Sequence, residues 1–341
     1  MKTIFATIAA LGFCFTSGFA AAQLEKRDVH IAVGGKSALY YLPLVITEQL
    51  GYFKDEGLNV RISDFAGGTR SLESVVGGSA DVVSGAYEHT INMQSRKIPF
   101  QAFVLAGAAP QISVAISSKL AGKYKSPKDL KGLKVGVSAP GSSTNMVVNY
   151  LLAKGGLKPT DVAIIGIGAG ANVISAVDQG RVDVISQTDP AVTILEKDGK
   201  VKVIAETRTP EGTEKLFGGP MPAASLNAPV EFIRKNPNTV QALTNATVRS
   251  LIWMQDASPQ QILATVPEAY LLGNKAMYLF AYNNVKTAYS KDGLFSEAGA
   301  KTTLKALASF NPKIKPGEIK LADTYTNDFA KKALAKYGKK K

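Results

Sequence analysis

The sequence predicts an α/β protein made of two lobes, each a mostly parallel β-sheet flanked by helices. The chain has 341 residues, which is enough for two domains. Residues 78–84 (Gly-Ser-Ala-Asp-Val-Val-Ser) recur 102 positions later as 180–186, and 31–34 resemble 133–136 at the same offset. Each copy has the pattern of a strand–helix–strand–helix–strand unit. The right-handed crossovers of such units place helices on both faces of a parallel sheet.

Hydrophobic periodicity gives the elements in order. In each copy the first strand is an apolar run that ends in glycine, as strands of a buried parallel sheet do. In the first copy we predict a helix, a strand and a helix at 40–53, 60–64 and 69–76. In the second copy the corresponding elements are predicted at 143–154, 162–167 and 171–179. Beyond about residue 222, long helices are predicted at 230–235, 237–255, 259–266, 275–289 and 297–309.

Composition excludes several classes of protein. Apolar residues make up 45% of the chain and charged residues 20%, as in an ordinary globular protein. A single cysteine excludes a disulfide scaffold and Cys-rich metal sites. Two histidines, His30 and His89, exclude a multi-histidine metal centre. The formal net charge is +13, but no aromatic residues interleave the basic C-terminal tail, so nucleic acid is not an expected partner.

One glycine-rich segment could suggest a nucleotide cofactor. Residues 166–171 (Gly-Ile-Gly-Ala-Gly-Ala) fit the dinucleotide-binding pattern between a strand and a helix. That pattern requires an acidic residue at the end of a strand about twenty positions later, whereas Asp183 is predicted to begin one. Because Asp81 holds the same place in the first copy, we interpret both as structural turn residues. No cofactor is expected.

The first 22 residues have the pattern of a secretory signal peptide. A basic start precedes an apolar run at 4–15, and alanines at 20–22 supply a cleavage site. Cys14 follows the bulky Phe13, so lipidation is not expected there. Cleavage after Ala22 would leave a mature chain without cysteine, which suits an oxidising compartment. We therefore predict a periplasmic protein; the alternative is a buried N-terminal helix.

Candidate ligand contacts lie in loops after the strands, because open parallel sheets bind ligands beyond the carboxyl ends of their strands. The richest loop supplies Ser142, Ser143, Thr144 and Asn145 at the start of a predicted helix. A helix N-terminus with free N–H groups and hydroxyls can hold an anion. The alternative is that these residues only cap the helix. Four such residues in a row exceed what a cap requires, which favours the ligand interpretation.

A second candidate is the run Tyr87, Glu88 and His89, where the third strand of the first copy meets its helix. An aromatic ring, a carboxylate and an imidazole could grip a polar ligand or serve in acid–base chemistry. The alternative is that Tyr87 packs locally while Glu88 and His89 face solvent. No serine has the setting of a nucleophile elbow, and no carboxylate pair stands out, so no catalytic residue is predicted.

Several longer motifs occur in an order and spacing that cover most of the mature chain. They are 41–44 (Tyr-Leu-Pro-Leu), 51–60 (Gly-Tyr-Phe-Lys-Asp-Glu-Gly-Leu-Asn-Val), the Gly78-x-x-Asp81 pair, 129–137 and 232–237. They resemble motifs of the substrate-binding proteins of ABC importers, in particular the nitrate/sulfonate/taurine-type family. Members of that family share their fold with thiamin-pyrimidine-precursor-binding proteins.

The resemblance implies a type II periplasmic-binding-protein fold, in which two crossover strands join two lobes that close on a ligand. The crossovers would lie near 106–112 and 204–218. Lobe one would then comprise 23–108 and 218–341, and lobe two 109–217. Besides the loop at Ser142–Asn145, the ligand contacts of the family would map onto Lys36, Ser37, Tyr40, Gly68, Thr69, Tyr87, Thr188 and Asp189. No arginine is placed securely at the cleft.

The resulting hypothesis is a monomeric periplasmic protein that delivers a small organic anion to the membrane permease of an ABC importer. The anion would be a sulfonate or a carboxylate, and the run at Tyr87 suits an aromatic or hydroxylated acid. One alternative is a lyase on the same scaffold, with Glu88 and His89 as acid and base. Related synthases and desulfinases rely on cysteines, which the mature chain lacks. A further alternative is a ligand sensor that presents itself to a receptor.

Overall fold

The computed structural model describes residues 23–338, so the predicted signal peptide lies outside the described residues. Within this range the strands form two five-stranded sheets. The strands are β1 (Asp28–Val33), β2 (Asn59–Asp64), β3 (Val82–Ala86), β4 (Phe100–Leu105), β5 (Ile112–Ser117), β6 (Lys134–Val137), β7 (Ala163–Gly166), β8 (Val184–Thr188), β9 (Val201–Glu206) and β10 (Ala224–Pro229).

Helices flank both sheets, and the longest of them, α11, follows β10. They are α1 (Leu42–Gln49), α2 (Tyr52–Asp55), α3 (Gly68–Val76), α4 (Glu88–Ser95), α5 (Ser118–Ala121), α6 (Ser143–Lys154), α7 (Ala171–Asp178), α8 (Ala191–Lys197), α9 (Pro210–Phe217), α10 (Val230–Lys235), α11 (Pro237–Asp256), α12 (Pro259–Thr265), α13 (Lys275–Val285), α14 (Glu297–Ala308) and α15 (Asp328–Tyr337). Between residues 23 and 338, no helix combines the length and apolar character needed to cross a bilayer.

The two sheets have the same topology, which confirms the predicted two-lobe α/β fold. The first sheet has the order β2-β1-β3-β10-β4 and the second the order β7-β6-β8-β5-β9. The first three strands of each order are parallel, and the fourth is antiparallel to both of its neighbours. Each sheet is therefore mixed, with one reversed strand. The chain passes from the first sheet to the second at 106–111 and returns at 207–223.

The internal repeat is present, but its first strand is displaced by two residues from the predicted alignment. Ile31 lies opposite Val82 in the first sheet, and Val135 lies opposite Val184 in the second. The counterpart of Ile31 is therefore Val135 and not Leu133. The linking loops of the two copies differ in length, and a search at one fixed offset does not detect such a difference.

Two aspartates hold equivalent corners of the two sheets. Asp81 accepts a hydrogen bond from the backbone N–H of His30, and Asp183 accepts one from the backbone N–H of Lys134. The N···O distance is 2.9 Å in both cases. The interpretation of these aspartates as structural turn residues is confirmed, because each carboxylate ties the turn before one strand to the start of its neighbour.

The helix predicted at 40–53 is divided in the structure. A short 3₁₀ turn, Leu39–Tyr41, precedes α1, and α2 begins after Gly51. Gly51 has a φ of 73°, a left-handed conformation that glycine adopts without steric cost. A residue in this conformation ends a helix, as glycines at helix C-termini commonly do.

Helix α14 connects the apolar cores of the two lobes. Its residues Leu304 and Leu307 belong to one buried cluster with Ile91 of α4 and with Val147 and Leu151 of α6. Because α4 follows the first sheet and α6 flanks the second, α14 packs against helices of both lobes. The apolar core is therefore continuous along this side of the molecule.

Candidate functional site

A small pocket lies where the ends of the two sheets meet. Its volume is about 30 Å³. Loops after β1, β2, β6 and β7, the C-terminal ends of β3 and β8 and the start of β5 surround it. The lining residues are Gly34, Ala38, Tyr40, Tyr41, Gly68, Ala86, His89, Ile112, Ser138, Ser142, Ser143, Thr144, Ala169, Gln187 and Thr188. Of the predicted contacts, this set includes Tyr40, Gly68, His89, Ser142, Ser143, Thr144 and Thr188.

The two lobes touch each other beside this pocket. The backbone N–H of Leu39 donates to the carbonyl oxygen of Asp189 at 2.9 Å. The hydroxyl of Thr69 donates to the carbonyl oxygen of Pro140 at 3.0 Å. Each hydrogen bond joins a helical segment that follows a strand of the first sheet to a loop that follows a strand of the second. The structure is thus a closed arrangement of the lobes.

Glycine permits this close approach. Gly35 has a φ of 96°, and a Cβ atom built there would lie 2.7 Å from the Cβ atom of Ala169 in the other lobe. Carbon atoms in favourable contact stand about 3.5–4.0 Å apart. A side chain at Gly35 would therefore hold the two lobes apart.

The predicted contacts Lys36 and Ser37 lie beside the pocket and do not line it. The ammonium group of Lys36 pairs with the carboxylate of Glu48 at 2.5 Å, and its backbone N–H donates to Asp64. Its charge is therefore directed away from the cleft. The hydroxyl of Ser37 faces the backbone of Gly170 in the other lobe, where a Cβ atom would lie 3.0 Å from it.

Tyr40 presents a neutral donor to the pocket. Its hydroxyl is buried and has no hydrogen-bond partner of ordinary geometry among the described residues, although a weak interaction with the Ser143 hydroxyl acts on it. Burial raises the pKa of Tyr40 well above its ordinary value, and the nearby carboxylate of Glu88 raises it further. The hydroxyl therefore keeps its proton at physiological pH and can donate it in a hydrogen bond to a ligand.

Tyr87 has a different environment although it is also buried. Its ring packs against Phe295 and Tyr325, and its hydroxyl lies 2.6 Å from the hydroxyl of Thr324. The structure places Tyr87 in the core, as the local-packing alternative predicts, and not among the residues that line the pocket.

Glu88 and His89 are both buried, with exposed fractions of 2% and 3%. The alternative that they face solvent is therefore wrong. Nε2 of His89 and Oε1 of Glu88 have no hydrogen-bond partner among the described residues. Burial lowers the pKa of His89; Glu88 opposes this effect and Arg96 adds to it. The imidazole thus lines the pocket in its neutral form, whereas Glu88 is not part of the lining.

The loop before α6 is held by its own side chains. The hydroxyl of Ser142 donates to the carbonyl oxygen of Ala139 at 2.7 Å and contacts the hydroxyls of Ser138 and Thr144. Thr144 also accepts the backbone N–H of Ser138, and Asn145 accepts that of Gly141. These bonds fix the loop between β6 and α6.

The same bonds leave the first turn of α6 without a side-chain cap. The capping alternative is therefore wrong for Ser142, which occupies the N-cap position but whose hydroxyl accepts no backbone N–H of the helix. The first N–H groups of a helix have no intrahelical partner. Ser143, at the first position of α6, lines the pocket, so this helix end opens onto it.

Asp189 has a structural partner that the sequence did not reveal. Its carboxylate pairs with the guanidinium of Arg208 at 2.8 Å and accepts the backbone N–H of Thr193. Asp189 does not line the pocket, so of the predicted pair Thr188 and Asp189 only Thr188 does.

Sequence reasoning also missed two residues that line the pocket, Tyr41 and Gln187. Each of them is next in sequence to a predicted contact, Tyr40 or Thr188.

A larger groove adjoins the pocket. Its volume is about 570 Å³, and α3, α4, α6 and α14 supply most of its walls. It shares His89 and Ser142 with the pocket, and it contains the predicted contacts Thr69 and Asn145. Small-molecule sites are typically clefts of about 300–1,000 Å³, so the groove has the size of a ligand site.

The residues that the structure describes offer no metal centre, since none of them form a group of three or more His, Cys, Asp and Glu side chains suited to a metal ion. The site instead consists of hydroxyls, amides, backbone N–H groups and one neutral imidazole. These groups suit non-covalent recognition of a polar ligand between two lobes. Fold and site together define a two-lobe α/β protein with a polar pocket between its lobes.

The chain belongs to the NMT1/THI5 like family, whose model matches residues 38–262. It is 22% identical to the putative binding protein YtlA of Bacillus subtilis over 78% of each chain. It is 26% identical to the taurine-binding periplasmic protein of Escherichia coli over 58% of each chain. A solved structure from Bordetella bronchiseptica is 53% identical and covers 92% of this chain and 99% of its own, with a TM-score of 0.91.

Proposed function

We propose that this protein is exported to the periplasm and captures a small organic anion for the permease of an ABC importer. The ligand is a sulfonate or a carboxylate, aromatic acids included, and it binds between the lobes. The similarity to a taurine-binding periplasmic protein supports this class of ligand, since taurine is a sulfonate. The signal-peptide pattern of residues 1–22 supports export.

The uncapped N-terminus of α6 carries the proposal. Its first turn faces a pocket that also contains the weakly bonded hydroxyl of Tyr40 and the unpartnered Nε2 of His89. Helix N-termini favour negative charge because their N–H groups are free and the helix dipole is positive there. Among residues 23–338, no lysine or arginine lines the pocket. Neutral donors and the helix end would therefore hold the anion.

The position of Glu88 favours binding over catalysis. The lyase hypothesis requires Glu88 and His89 to face the ligand together, but Glu88 does not line the pocket. A general acid or base must come within hydrogen-bond reach of the proton that it transfers. In this arrangement His89 alone meets that condition, and its role is to contact the ligand.

The experiment starts with protein that lacks residues 1–22. Small molecules released from it on denaturation are identified by mass spectrometry, and the anion found is used in calorimetry. We expect Ser143→Ala to weaken binding about tenfold or more, because hydrogen bonds to charged groups contribute about 1.5–3 kcal/mol. The free energy of unfolding of the ligand-free variant should change little.

Ser258→Ala is the matched control. Ser258 does cap its helix, α12, because its hydroxyl accepts the N–H of Gln261 at 3.3 Å. Loss of this cap should lower the free energy of unfolding by about 1 kcal/mol and leave the affinity for the ligand unchanged. A neutral or chemically altered co-purified compound would contradict the proposal, as would a Ser143→Ala variant with wild-type affinity.

A further inference from the structure

The groove beside the pocket has two walls with the same residue spacing. One wall is a face of α4 and its C-terminal end, and the other is a face of α6 and its N-cap. Residues at positions i, i+3, i+4 and i+7 lie on one face of a helix. The four residues on each wall are His89, Asn92, Met93 and Arg96, and Ser142, Asn145, Met146 and Asn149.

The groove adjoins the pocket, because His89 and Ser142 line both. The pocket, at about 30 Å³, has room for little more than water-sized groups, whereas the groove measures about 570 Å³. A ligand with its acidic group at the N-terminus of α6 would therefore have to place the rest of its structure in the groove.

The chemistry changes along the groove. In the middle, Met93 and Met146 supply flexible apolar side chains, and Leu307 and Phe310 add further apolar surface. At the outer end lies the exposed guanidinium of Arg96, for which no ion pair occurs within residues 23–338.

In the described part of the chain, one other charged side chain lines the groove. It is Glu73, and its carboxylate pairs with Arg70 at 3.0 Å. The charge of Glu73 is thus largely compensated, while that of Arg96 is not. The outer end of the groove therefore favours an anionic group.

The helix provides a length scale. His89 and Arg96 are seven residues apart, and an α-helix rises 1.5 Å per residue, so their backbones lie about 10 Å apart along the axis. The opposite wall has the same span from Ser142 to Asn149. An acidic group at the pocket and a second one at Arg96 would be separated by about this distance.

We propose that the groove is a second ligand subsite and that the ligand is an elongated dianion. One acidic group binds at the N-terminus of α6, an apolar spacer lies between Met93 and Met146, and the second acidic group pairs with Arg96. This inference rests on the proposed function and adds to it the shape and charge of the ligand.

The test uses calorimetry with unbranched α,ω-dicarboxylates of increasing length and the monocarboxylates of equal chain length. In the wild type we expect the diacids to bind best when their acidic groups are about 10 Å apart. At that length their affinity should exceed that of the monoacids by about 1.5- to fivefold, the gain that an exposed or partly exposed ion pair contributes. The excess should shrink as salt is added.

Arg96→Gln should remove this excess and leave the binding of the monoacids unchanged. The matched control is Lys97→Gln, which removes one positive charge from the neighbouring exposed position outside the groove. It should preserve the preference for diacids. If the diacids were attracted only by the general positive charge of this surface, Arg96→Gln and Lys97→Gln would reduce the preference for diacids equally.

The inference is overturned if the diacids bind no better than the monoacids at any length, if Arg96→Gln keeps the preference, or if no member of the series binds. Taurine is measured in parallel to separate the two proposals. Tight binding of taurine without binding of long diacids would leave the proposed function intact and refute the dianion. A co-purified neutral ligand would refute both.

Discussion

Two buried tyrosines show how the environment decides the role of a residue. The hydroxyl of Tyr40 has no hydrogen-bond partner of ordinary geometry among the described residues and faces the pocket, whereas that of Tyr87 contacts Thr324 in the core. A buried hydroxyl without a partner destabilises the ligand-free protein, and a bonded one contributes about 1 kcal/mol. Both tyrosines were expected to contact the ligand. Only Tyr40 lines the pocket.

Phenylalanine substitutions should separate the two roles. We expect Tyr40→Phe to lower affinity for the ligand roughly tenfold and to keep or raise the stability of the ligand-free protein. Tyr87→Phe should cost about 1 kcal/mol of stability and leave affinity unchanged. Calorimetry and denaturant titration measure the two effects. Equal losses of affinity in both variants would refute this distinction.

His89 should make the stability of the protein depend on pH. Burial lowers its pKa below the ordinary 6.5, so the unfolded chain binds a proton more readily than the native protein. The free energy of unfolding should therefore fall as the pH falls from 6.5 towards the lowered pKa of His89. Above 6.5 this contribution is constant, because the imidazole is neutral in both states.

Denaturant titrations of the ligand-free protein between about pH 5 and 7.5 measure this dependence. In the wild type the free energy of unfolding should increase as the pH rises over this range. In His89→Gln the increase should be smaller. Arg96→Gln should also reduce it, because Arg96 contributes to the lowered pKa. Identical slopes in the wild type and His89→Gln would show that His89 does not titrate as its burial requires.

At the scale of the element, α6 shows what local sequence can predict. Its bounds in the structure, Ser143–Lys154, are those predicted from periodicity, and its first turn was the favoured anion site. The roles of its hydroxyls were not predicted. Ser142 and Thr144 fix the preceding loop through hydrogen bonds, whereas the hydroxyl of Ser143 takes no part in these bonds and interacts weakly with Tyr40.

The reversed strands β5 and β10 show the opposite case. Both are segments of only six residues, and segments this short carry no signal of direction or of neighbours. Each strand inserts between two others of its sheet, and β10 pairs with strands more than a hundred residues earlier in the chain. Their direction follows from the two passages of the chain between the sheets. The positions of β5 and β10 in their sheets are therefore set by the path of the chain between the lobes and not by the local sequence of each strand.

At the scale of the whole molecule, the contacts between the lobes imply motion. The hydrogen bonds from Leu39 to Asp189 and from Thr69 to Pro140 join the lobes beside the pocket, so a wide opening of the cleft must break both of them. Helix α14 packs against both lobes, so opening should occur by rotation with α14 near the axis or by sliding along its apolar face. We expect the ligand to stabilise the closed arrangement.

Solution scattering tests this motion. The ligand-free protein should have a larger radius of gyration than the closed structure, and a saturating ligand should reduce it. A neutral amide analogue that does not bind is the control and should leave the radius unchanged. An unchanged radius with the true ligand, with binding confirmed by calorimetry, would count against closure.

The sequence by itself determined the two α/β units, the helix α6 and the polar character of the loops around the cleft. These features depend on local periodicity and local chemistry, which a single chain displays directly. The tertiary structure alone decided that Asp189 pairs with Arg208, that Glu88 and His89 are buried, and that α4 and α6 enclose a groove. Each of these depends on side chains brought together by packing, and the distances between such side chains are not encoded in any local pattern.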